Sequence, residues 1–554
     1  AEFGRNVPDE AMPDEDKMNL GEIYHMGKPE SADLILNRQA MASHTFITGS
    51  TGTGKSNAVY HLLDEITKNG QTTFLVVEPA KGEYKNVFGN CTDVQVFGTN
   101  PRETPLLRMN PFAFPENIHI LEHIDRLVEI FNACWPMYAA MPAVLKDAIE
   151  RSYQKVGWDL RNSESEKGVF PTFFDLLDIL PGVIEESHYS KDTQSDYVGA
   201  LCTRVKSLTN GIYGSVLCAE DALMDEALFD RNVIVDLSRV GSMETKSLLM
   251  GILVMKLQEY RMCSSGMNSR LRHVTVLEEA HNLLRKTSAE QSQEGANLQG
   301  KSVEMLANAI AEMRTYGEGF IIADQAPGLL DMSVIRNTNT KIILRLPDEE
   351  DRKLVGKSAA LKEAQIDELS KLPLGVAAVY QNEWPEAVLC KIEAYPMPEN
   401  AVYHKPSKMP HEINAEFVFG QLAVGKELKP LSSSEMEQLK LWLKRHETVL
   451  KPEDSRYLER VFAGGELDVA KTRKAVFDFF GGIGTVVDYC VAAEKSLTPR
   501  KELLEQLQGQ YGLKAAAADW VLNSVISMGM SLNPDAKAVE SLRTNFEQQG
   551  GRVL

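Results

Sequence analysis

One short segment constrains the fold of this chain more than any other, because its glycines and its lysine follow the order of a phosphate-binding loop. Residues Gly49 to Ser56 read Gly-Ser-Thr-Gly-Thr-Gly-Lys-Ser and fit the pattern G-x-x-x-x-G-K-[ST]. The apolar pair Phe46-Ile47 precedes them, and Asn57 to Ile66 has helical periodicity, so the loop joins a strand to a helix. Backbone N–H groups in such a loop bind phosphate oxygens, and the helix dipole favours the anion. The sequence therefore predicts a nucleoside triphosphate site.

The residue types of this loop also predict how the ligand is held. Lys55 is expected to reach the β and γ phosphates of ATP, and the Ser56 hydroxyl is expected to bind Mg²⁺. The residues predicted to contact the nucleotide are Gly49, Thr51, Gly52, Thr53, Gly54, Lys55, Ser56 and Asn57. ATP and Mg²⁺ are therefore the expected cofactors.

Two carboxylates follow an apolar run farther along the chain. The segment Val274 to His281 reads Val-Thr-Val-Leu-Glu-Glu-Ala-His, which places Glu278 and Glu279 at the end of a predicted strand. Glu278 is expected to hold the metal ion through water, and Glu279 to orient or deprotonate the attacking water. His281 has two interpretations, a hydrogen-bonded histidine at the start of a helix or a group that couples the site to its surroundings.

Two further residues are candidates because of where they lie relative to predicted elements. Gln325 follows the buried strand Phe320 to Asp324, and its amide is placed to sense the γ-phosphate. Arg314 ends the predicted helix Lys301 to Tyr316. It is either a cation favoured by the helix C-terminal dipole or an arginine finger that reaches the nucleotide of a neighbouring subunit. Arg345 is the alternative candidate for such a finger.

The order of predicted elements indicates an α/β fold. From His44 to about Lys391, short β-rich runs alternate with helical segments, as in a largely parallel sheet covered by helices. The predicted strands are Phe74 to Glu78, Val94 to Phe97, Val233 to Leu237, Val274 to Glu278, Phe320 to Asp324, Lys341 to Leu346, Val376 to Tyr380 and Ala387 to Lys391. We divide the chain into an N-terminal strap (residues 1–40), an ATPase core (41–400) with a helical insertion at about 115–230, and an α-helical C-terminal region (401–554).

The composition argues against several classes of protein. Seven scattered cysteines without a C-x-x-C pair argue against a disulfide framework or a zinc ribbon. The longest apolar stretch, Leu248 to Met255, is far shorter than the roughly 20 residues that cross a bilayer, so we expect a cytoplasmic protein without membrane contact. The net charge of −19 argues against a surface coated with nucleic acid, although a ring can hold basic groups inside its channel. The polar stretch Arg285 to Lys301 is either a loop that grips DNA or a solvated surface loop.

Together these motifs resemble HerA, the hexameric DNA-translocating ATPases of the FtsK–HerA group. The resemblance spans roughly residues 20 to 395 and rests on the segments Gly49 to Ser56, Glu78 to Tyr84, Glu278 to His281, and Arg314 to Gln325. It implies a RecA-like P-loop core in a homo-hexamer, ATP at the subunit interfaces, and double-stranded DNA in the channel. The residues that it places in the roles given above are Lys55, Ser56, Glu279, Arg314 and Gln325. Relatives of this kind commonly work with a nuclease, and related antiphage defence systems pair HerA with a sirtuin-like NAD-consuming protein or another effector.

Two departures from the family accompany this resemblance. HerA proteins usually carry an N-terminal β-barrel, which we expect to be absent, reduced or truncated here, and Glu278 stands where Asp is commoner. We expect an ATP-hydrolysing DNA translocase or helicase. Three alternatives remain: a P-loop phosphotransferase, a secretion or conjugation ATPase, and a ring that switches a partner effector without translocating DNA. Glu279 argues against a phosphotransferase, and the lack of a predicted membrane anchor argues against a secretion or conjugation ATPase. The acidic charge favours the ring that switches a partner effector.

Overall fold

The apolar runs of the sequence form one large β-sheet in the computed structural model, which describes every residue except 1, 9, 10, 139, 167, 288–297, 398–400, 407–412, 426, 427, 429 and 432. The strands are β1 (Lys17–His25), β2 (Lys28–Asn37), β3 (Thr45–Thr48), β4 (Thr73–Glu78), β5 (Val94–Gly98), β6 (Trp158–Asp159), β7 (Glu164–Ser165), β8 (Asn232–Asp236), β9 (His273–Glu278), β10 (Glu318–Asp324), β11 (Thr340–Ile343), β12 (Val376–Gln381) and β13 (Val388–Ile392). The strands predicted between Phe74 and Lys391 are all confirmed, with small shifts at their ends.

The sheet has eleven strands in the order β2-β1-β13-β12-β11-β3-β10-β9-β4-β8-β5, while β6 and β7 form a separate pair. From β11 to β5 every neighbouring pair runs parallel. Ile47 on β3, Val276 on β9 and Ile321 on β10 are fully buried, as expected for parallel strands with both faces covered. Parallel strands end at one common edge of the sheet, so the segments that follow β3, β4, β9 and β10 lie near one another.

The predicted N-terminal strap is an integral part of this sheet. It forms the strands β1 and β2, and β1 pairs antiparallel with both β2 and β13. Gly21 lies where β1 meets β13: its φ is +149°, and a Cβ atom there would lie 2.1 Å from the carbonyl oxygen of Lys391. Only glycine permits so close an approach of two backbones. The pairing with β13 joins residues far apart in sequence, and local pattern did not predict it.

Helices are the other main regular elements of the described residues. They are α1 (Lys55–Thr67), α2 (Tyr84–Phe88), α3 (Ile120–Cys134), α4 (Met141–Lys155), α5 (Phe173–Glu186), α6 (Lys191–Tyr197), α7 (Thr203–Thr209), α8 (Gly211–Leu217), α9 (Asp225–Phe229), α10 (Met243–Ser264), α11 (Leu298–Glu312), α12 (Met332–Arg336), α13 (Glu349–Ser358), α14 (Glu363–Glu368), α15 (Ala415–Val424), α16 (Ser433–Arg445), α17 (Pro452–Phe462), α18 (Val469–Phe479), α19 (Ile483–Lys495), α20 (Pro499–Tyr511), α21 (Ala515–Leu532) and α22 (Ala536–Gln548). In α1, Val59, Leu62, Leu63 and Ile66 are fully buried at the spacing of three and four that packs one helix face.

The helix predicted from Lys301 to Tyr316 ends earlier than expected. In the structure α11 stops at Glu312, and Met313–Tyr316 forms a 3-10 turn. The backbone N–H of Gly317, which has φ +72°, donates to the carbonyl of Arg314 at 3.1 Å and closes this turn. A left-handed glycine cannot continue an α-helix, so the prediction was wrong in its last turn.

The chain divides into two compact units, and their boundaries differ from those expected. Unit 1 comprises Ala1–Leu107, Phe114–Lys146 and Leu223–Lys405 and contains the eleven-stranded sheet; unit 2 comprises Arg108–Ala113, Asp147–Ala222 and Pro406–Leu554. The predicted insertion is thus shared between the units, because its second half packs with the C-terminal helices. In unit 2, α20 lies so close to α8 that a Cβ atom on Gly509 would be 3.3 Å from the backbone of Gly214.

Unit 2 has an aromatic core of its own. Phe419, Phe480 and Tyr511 stack edge to face, with ring centroids 4.8 and 4.6 Å apart for the two successive pairs. Among the described residues, no single helix combines the length and the apolar composition needed to cross a bilayer. The consecutive helices α18 and α19, bent by 68° relative to each other, reach those limits only when they are taken together.

Candidate functional site

The phosphate loop joins β3 to α1 and depends on its glycines. Gly52 and Gly54 have φ angles of +76° and +104°, which other residues rarely adopt. A Cβ atom on Gly49 would lie 2.7 Å from Thr53 Oγ1 and 2.8 Å from Leu344 Cβ. Any larger residue at Gly49 would therefore push the loop away from its neighbours. Because these three positions need glycine for different reasons, the loop conformation follows directly from the sequence motif.

Hydrogen bonds from neighbouring segments hold the loop in this shape. The backbone N–H of Ser50 donates to the carbonyl of Arg345 at 3.0 Å, and that of Gly375 donates to the carbonyl of Thr53 at 3.1 Å. α1 begins at Lys55 without a side-chain cap, since its N-cap residue is Gly54. The first N–H groups of a helix have no partner within the helix, so they are available to an anion at this point.

Both predicted carboxylates face the lysine of the loop. Lys55 Nζ lies 3.2 Å from Glu279 Oε1 and 3.5 Å from Glu278 Oε2, and all three side chains are largely buried. Successive residues of a strand point to opposite faces, which would separate the two carboxylates. Glu279 follows the end of β9 with a left-handed φ of +46°, and this turn brings its side chain to the same side as Glu278. Backbone strain of this type is common at functional sites.

Gln325 connects the phosphate loop to Glu279. It follows β10, the strand beside β9, and its Nε2 donates to Glu279 Oε1. Its Oε1 accepts from Thr51 Oγ1 at 2.6 Å. The amide thus touches both the loop and the carboxylate predicted to activate water, as its predicted role requires. That role remains a prediction.

Asp324 is a site residue that sequence reasoning did not single out. Fully buried at the end of β10, it accepts from the backbone N–H of His281 and contacts His281 Nδ1, both at 2.9 Å, while its other oxygen accepts from the backbone N–H of Ala326. The hydrogen bond to Asp324 raises the pKa of His281. Asp324 therefore fixes the turns that follow Glu279 and Gln325. The sequence signal that could have identified Asp324 is its position at the end of a predicted strand, beside the strand that ends at Glu278.

These groups surround a cavity of about 370 Å³ at the C-terminal edge of the parallel strands. Its lining includes the predicted residues Lys55, Ser56, Glu278, Glu279 and Gln325. Glu78, Lys81, Tyr84 and Lys246 line it as well. Burial raises the pKa of Glu78 to about 8 and lowers the pKa of Lys246. The sequence offered no signal for Lys246, because it belongs to no recognised motif.

The donor atoms in this cavity fit Mg²⁺. Ser56 offers a hydroxyl oxygen and Glu278 a carboxylate oxygen, and both line the same cavity as Lys55. Mg²⁺ prefers oxygen ligands and retains several waters, which a cavity of this size accommodates. Glu279, His281 and Asp324 also bring one ligand atom each within 4.8 Å of one another. That second set includes an imidazole nitrogen already bonded to Asp324, so it suits Mg²⁺ less well.

Some predicted residues lie elsewhere. Asn57 uses its side chain within the chain, since Nδ2 donates to the carbonyl of Glu393 at 3.0 Å and Oδ1 accepts from the N–H of Tyr395 at 2.8 Å. Arg314 is exposed and precedes β10, whereas Gln325 follows it. A strand of seven residues is about 23 Å long, which separates Arg314 from the cavity of its own chain. Arg345 is exposed beside the phosphate loop, where its carbonyl accepts from Ser50.

The candidate DNA loop is described only at its two ends. Residues 288–297 of the stretch Arg285 to Lys301 lie outside the described residues. At the first end, the backbone N–H of Lys286 donates to the carbonyl of Leu329 at 2.8 Å, and Arg285 pairs with Leu330. At the second end α11 begins at Leu298. The loop therefore starts next to the segment that follows Gln325, on the same side of the sheet as the cavity.

Comparison with known proteins shows which family part of the chain resembles. Residues 18–257 match the family model described as the central domain of the helicase HerA. A probable helicase of Methanocaldococcus jannaschii is 22% identical over 428 residues, which cover 70% of this chain and 75% of that protein. The DNA double-strand break repair helicase HerA of Sulfolobus acidocaldarius is 25% identical over 380 residues, which cover 66% of this chain and 68% of the relative.

A solved structure supports the fold independently. VirB4 of Thermoanaerobacter pseudethanolicus is 19% identical and superposes with a TM-score of 0.52, covering 70% of this chain and 99% of that chain. At this identity the likeness concerns the fold alone, and it confirms the predicted α/β class. The resemblance inferred from the motifs is confirmed as well by the family match and the relatives. We conclude that residues 18–257 of this chain match the central domain of the HerA helicase family.

Proposed function

We propose that this chain is a HerA-type ATPase that hydrolyses Mg²⁺-bound ATP and uses the energy to move double-stranded DNA through a homo-hexameric ring. The observation that carries the proposal is the position of Lys55, which contacts both Glu278 and Glu279 at the head of the phosphate loop. A phosphate-binding lysine, a metal-binding carboxylate and a water-activating carboxylate are the groups that phosphoryl transfer to water requires.

The contacts of Lys55 suggest how the site responds to nucleotide. Its ammonium group exchanges the two carboxylates for phosphate oxygens, which frees Glu279 to accept a proton from water. Glu278 and Ser56 would hold Mg²⁺, which would supply positive charge to the β and γ phosphates. Gln325 keeps its contact with Thr51 on the loop and orients the same water as Glu279. The backbone N–H groups at the start of α1 complete the phosphate cradle.

The ring part of the proposal rests on Arg314. This side chain is exposed and lies at the N-terminal end of β10, at the opposite edge of the sheet from the cavity of its own chain. An arginine finger must touch the γ-phosphate, so Arg314 can act only on the nucleotide of a neighbouring copy. We propose that each site is completed by Arg314 of the next subunit, with Arg345 as the alternative.

The DNA part of the proposal rests on the relatives, and the partner part rests on the family resemblance of the motifs. Two HerA proteins similar to this chain are described as DNA double-strand break repair helicases. We propose double-stranded DNA as the substrate of the ring and a nuclease or a sirtuin-like NAD-consuming effector as its partner. The net charge of −19 supports a second candidate, a ring that switches a partner effector without moving DNA. ATP turnover that double-stranded DNA does not stimulate would favour this second candidate.

Two substitutions test the chemistry. In Glu279→Gln the amide can still accept from Lys55, so we expect ATP binding to persist while steady-state hydrolysis falls by at least about 100-fold, the contribution of a positioned general base. In Lys55→Ala we expect nucleotide binding itself to be lost. Phosphate release and fluorescent-nucleotide titration measure the two effects. Glu22→Gln, an exposed change on β1, is the matched control and should behave as the wild type. Hydrolysis at the wild-type rate in Glu279→Gln would exclude the proposed role of this carboxylate.

A further inference from the structure

The segment between β4 and α2 is held against three neighbouring strands of the sheet. It reads Glu-Pro-Ala-Lys-Gly-Glu-Tyr from Glu78 to Tyr84. Tyr84 contacts Glu78 at the end of β4 and Glu278 at the end of β9, and the next residue, Lys85, contacts Asp236 at the end of β8. The roles proposed above do not include this segment, although most of its residues line the cavity.

Glu78 fixes where α2 begins. Its two oxygens accept from the backbone N–H groups of Glu83 at 2.8 Å and Tyr84 at 3.1 Å. Glu78 is 3% exposed, so these bonds are made inside the protein. They satisfy N–H groups at the start of α2 that have no partner within the helix. The backbone of Tyr84 is therefore attached directly to the end of β4.

Lys85 anchors the same turn to the end of β8. Its ammonium group pairs with Asp236 and lies 3.2 Å from Glu103. Gly82, with φ +69°, lies so close to this pair that a Cβ atom would be 2.8 Å from Ser238 Oγ and 3.3 Å from Asp236 Oδ1. The turn thus has no room to move toward β8. Residues on both sides of Tyr84 are held in place.

Tyr84 connects this fixed turn to Glu278, the carboxylate predicted to bind the metal. Its phenol group donates to Glu278 Oε1, and its ring packs edge to face on Tyr60 with centroids 5.0 Å apart. Tyr84 is 2% exposed. The other oxygen of Glu278, Oε2, is 3.5 Å from Lys55 Nζ. One oxygen of Glu278 is therefore held by the phenol, and the other faces the cavity.

We propose that Tyr84 is a positioning residue that sets the orientation of Glu278 for Mg²⁺, an inference that rests on the proposed ATPase function. The terminal torsion of a glutamate is broad, so an unrestrained carboxylate turns easily. A hydrogen bond to one oxygen restricts that rotation and leaves the other oxygen aimed at the metal. Groups that orient metal ligands in this way typically contribute 10–100-fold to metal affinity or activity.

The test is Tyr84→Phe in the full-length chain. This change removes one oxygen and keeps the ring that packs on Tyr60. We expect the Mg²⁺ concentration for half-maximal ATP hydrolysis to rise about 10–100-fold. The affinity for fluorescent ATP in the presence of EDTA should not change, because Tyr84 does not contact the phosphate loop. Tyr60→Phe removes a hydroxyl from the neighbouring ring of the same aromatic pair and should leave the Mg²⁺ dependence unchanged.

A double substitution separates positioning from a merely structural role. If Tyr84 acts through Glu278, Tyr84→Phe should have no further effect on the Mg²⁺ dependence of a Glu278→Gln chain, measured by Mg²⁺-dependent nucleotide binding. An additional shift in that background, or a wild-type Mg²⁺ dependence of Tyr84→Phe alone, would overturn the proposal. If Lys55→Ala and Glu279→Gln also hydrolyse ATP normally, the proposed function fails. If they are inactive while Tyr84→Phe behaves as the wild type, only the present inference fails.

Discussion

Replacing Glu318 with glutamine tests how buried charge stabilises the sheet of unit 1. Glu318 is fully buried at the start of β10 and accepts from Arg261 Nε and Thr275 Oγ1, both at 2.8 Å, and from His273 Nδ1 at 2.7 Å. Arg261 is also fully buried and pairs with Asp230 at 2.8 Å. Glu318→Gln preserves the shape and removes the charge, so Arg261 loses one of its two anionic partners. Breaking a buried pair on one side costs about 3–5 kcal/mol, and we expect about 3 because Asp230 remains.

The pKa of Glu318 gives an independent magnitude. Burial alone would raise this pKa, but the contacts with His273 and Arg261 outweigh burial and lower it from 4.5 to about 2. A carboxyl whose pKa is lower in the folded state contributes stability that is present above pH 4.5 and is lost as the pH falls toward 2. At about 1.4 kcal/mol per pH unit, this difference corresponds to about 3 kcal/mol, in agreement with the first value.

Hydrogen exchange of the backbone amides in β9 and β10 measures the local free energy of opening. After correction for intrinsic exchange rates, wild-type protection should decrease as the pH falls below about 4.5, which is near the ordinary pKa of glutamate. Glu318→Gln should be less protected at neutral pH and should show a smaller decrease, because Asp230, whose pKa is also lowered, still pairs with Arg261. Glu312→Gln, an exposed change at the end of α11, should match the wild type throughout. Equal protection of Glu318→Gln and the wild type at neutral pH would refute the reasoning.

Two further predictions concern the nucleotide site. Gly49→Ala places a Cβ atom 2.7 Å from Thr53 Oγ1. We expect its nucleotide affinity to fall at least about tenfold, since overpacking costs about 1–3 kcal/mol. Gly182→Ala is the control, because a Cβ atom there has no atom within 4 Å, and equal affinity of both variants would contradict the close packing at Gly49. Mixing Arg314→Ala chains with Glu279→Gln chains should restore ATP hydrolysis, because some interfaces then combine an intact arginine with an intact glutamate. Failure of any mixing ratio to restore turnover would assign Arg314 a structural role.

The core of the site could be predicted because its chemistry depends on local sequence. The glycines of the phosphate loop adopt conformations that few other residues allow, and Lys55 follows them at a fixed spacing. Glu278 ends a strand whose apolar run is visible in the sequence, and Gln325 directly follows the end of another. Parallel strands end at one edge, so the sequence pattern was sufficient to predict that these residues meet.

Other contacts could not be predicted because they join segments without local signals. The phenol of Tyr84 reaches Glu278 across 194 positions of sequence, and Asp324 reaches His281 across 43. The left-handed turn at Glu279, which brings both carboxylates to Lys55, occurs at a residue type that ordinarily avoids it. Asn57 was grouped with the phosphate loop because of its position, but its side chain bonds to the segment that follows β13.

By itself the sequence determined the strands of the large sheet, some of the helices, the phosphate loop and the pair of carboxylates, because periodicity and glycine chemistry act over a few residues. Only the tertiary structure decided that β1 completes the sheet beside β13, and that the second half of the helical insertion joins the C-terminal helices in unit 2. It also decided that Tyr84 holds Glu278. These outcomes depend on which buried surfaces pack together, and packing between distant segments leaves no periodic trace in either of them.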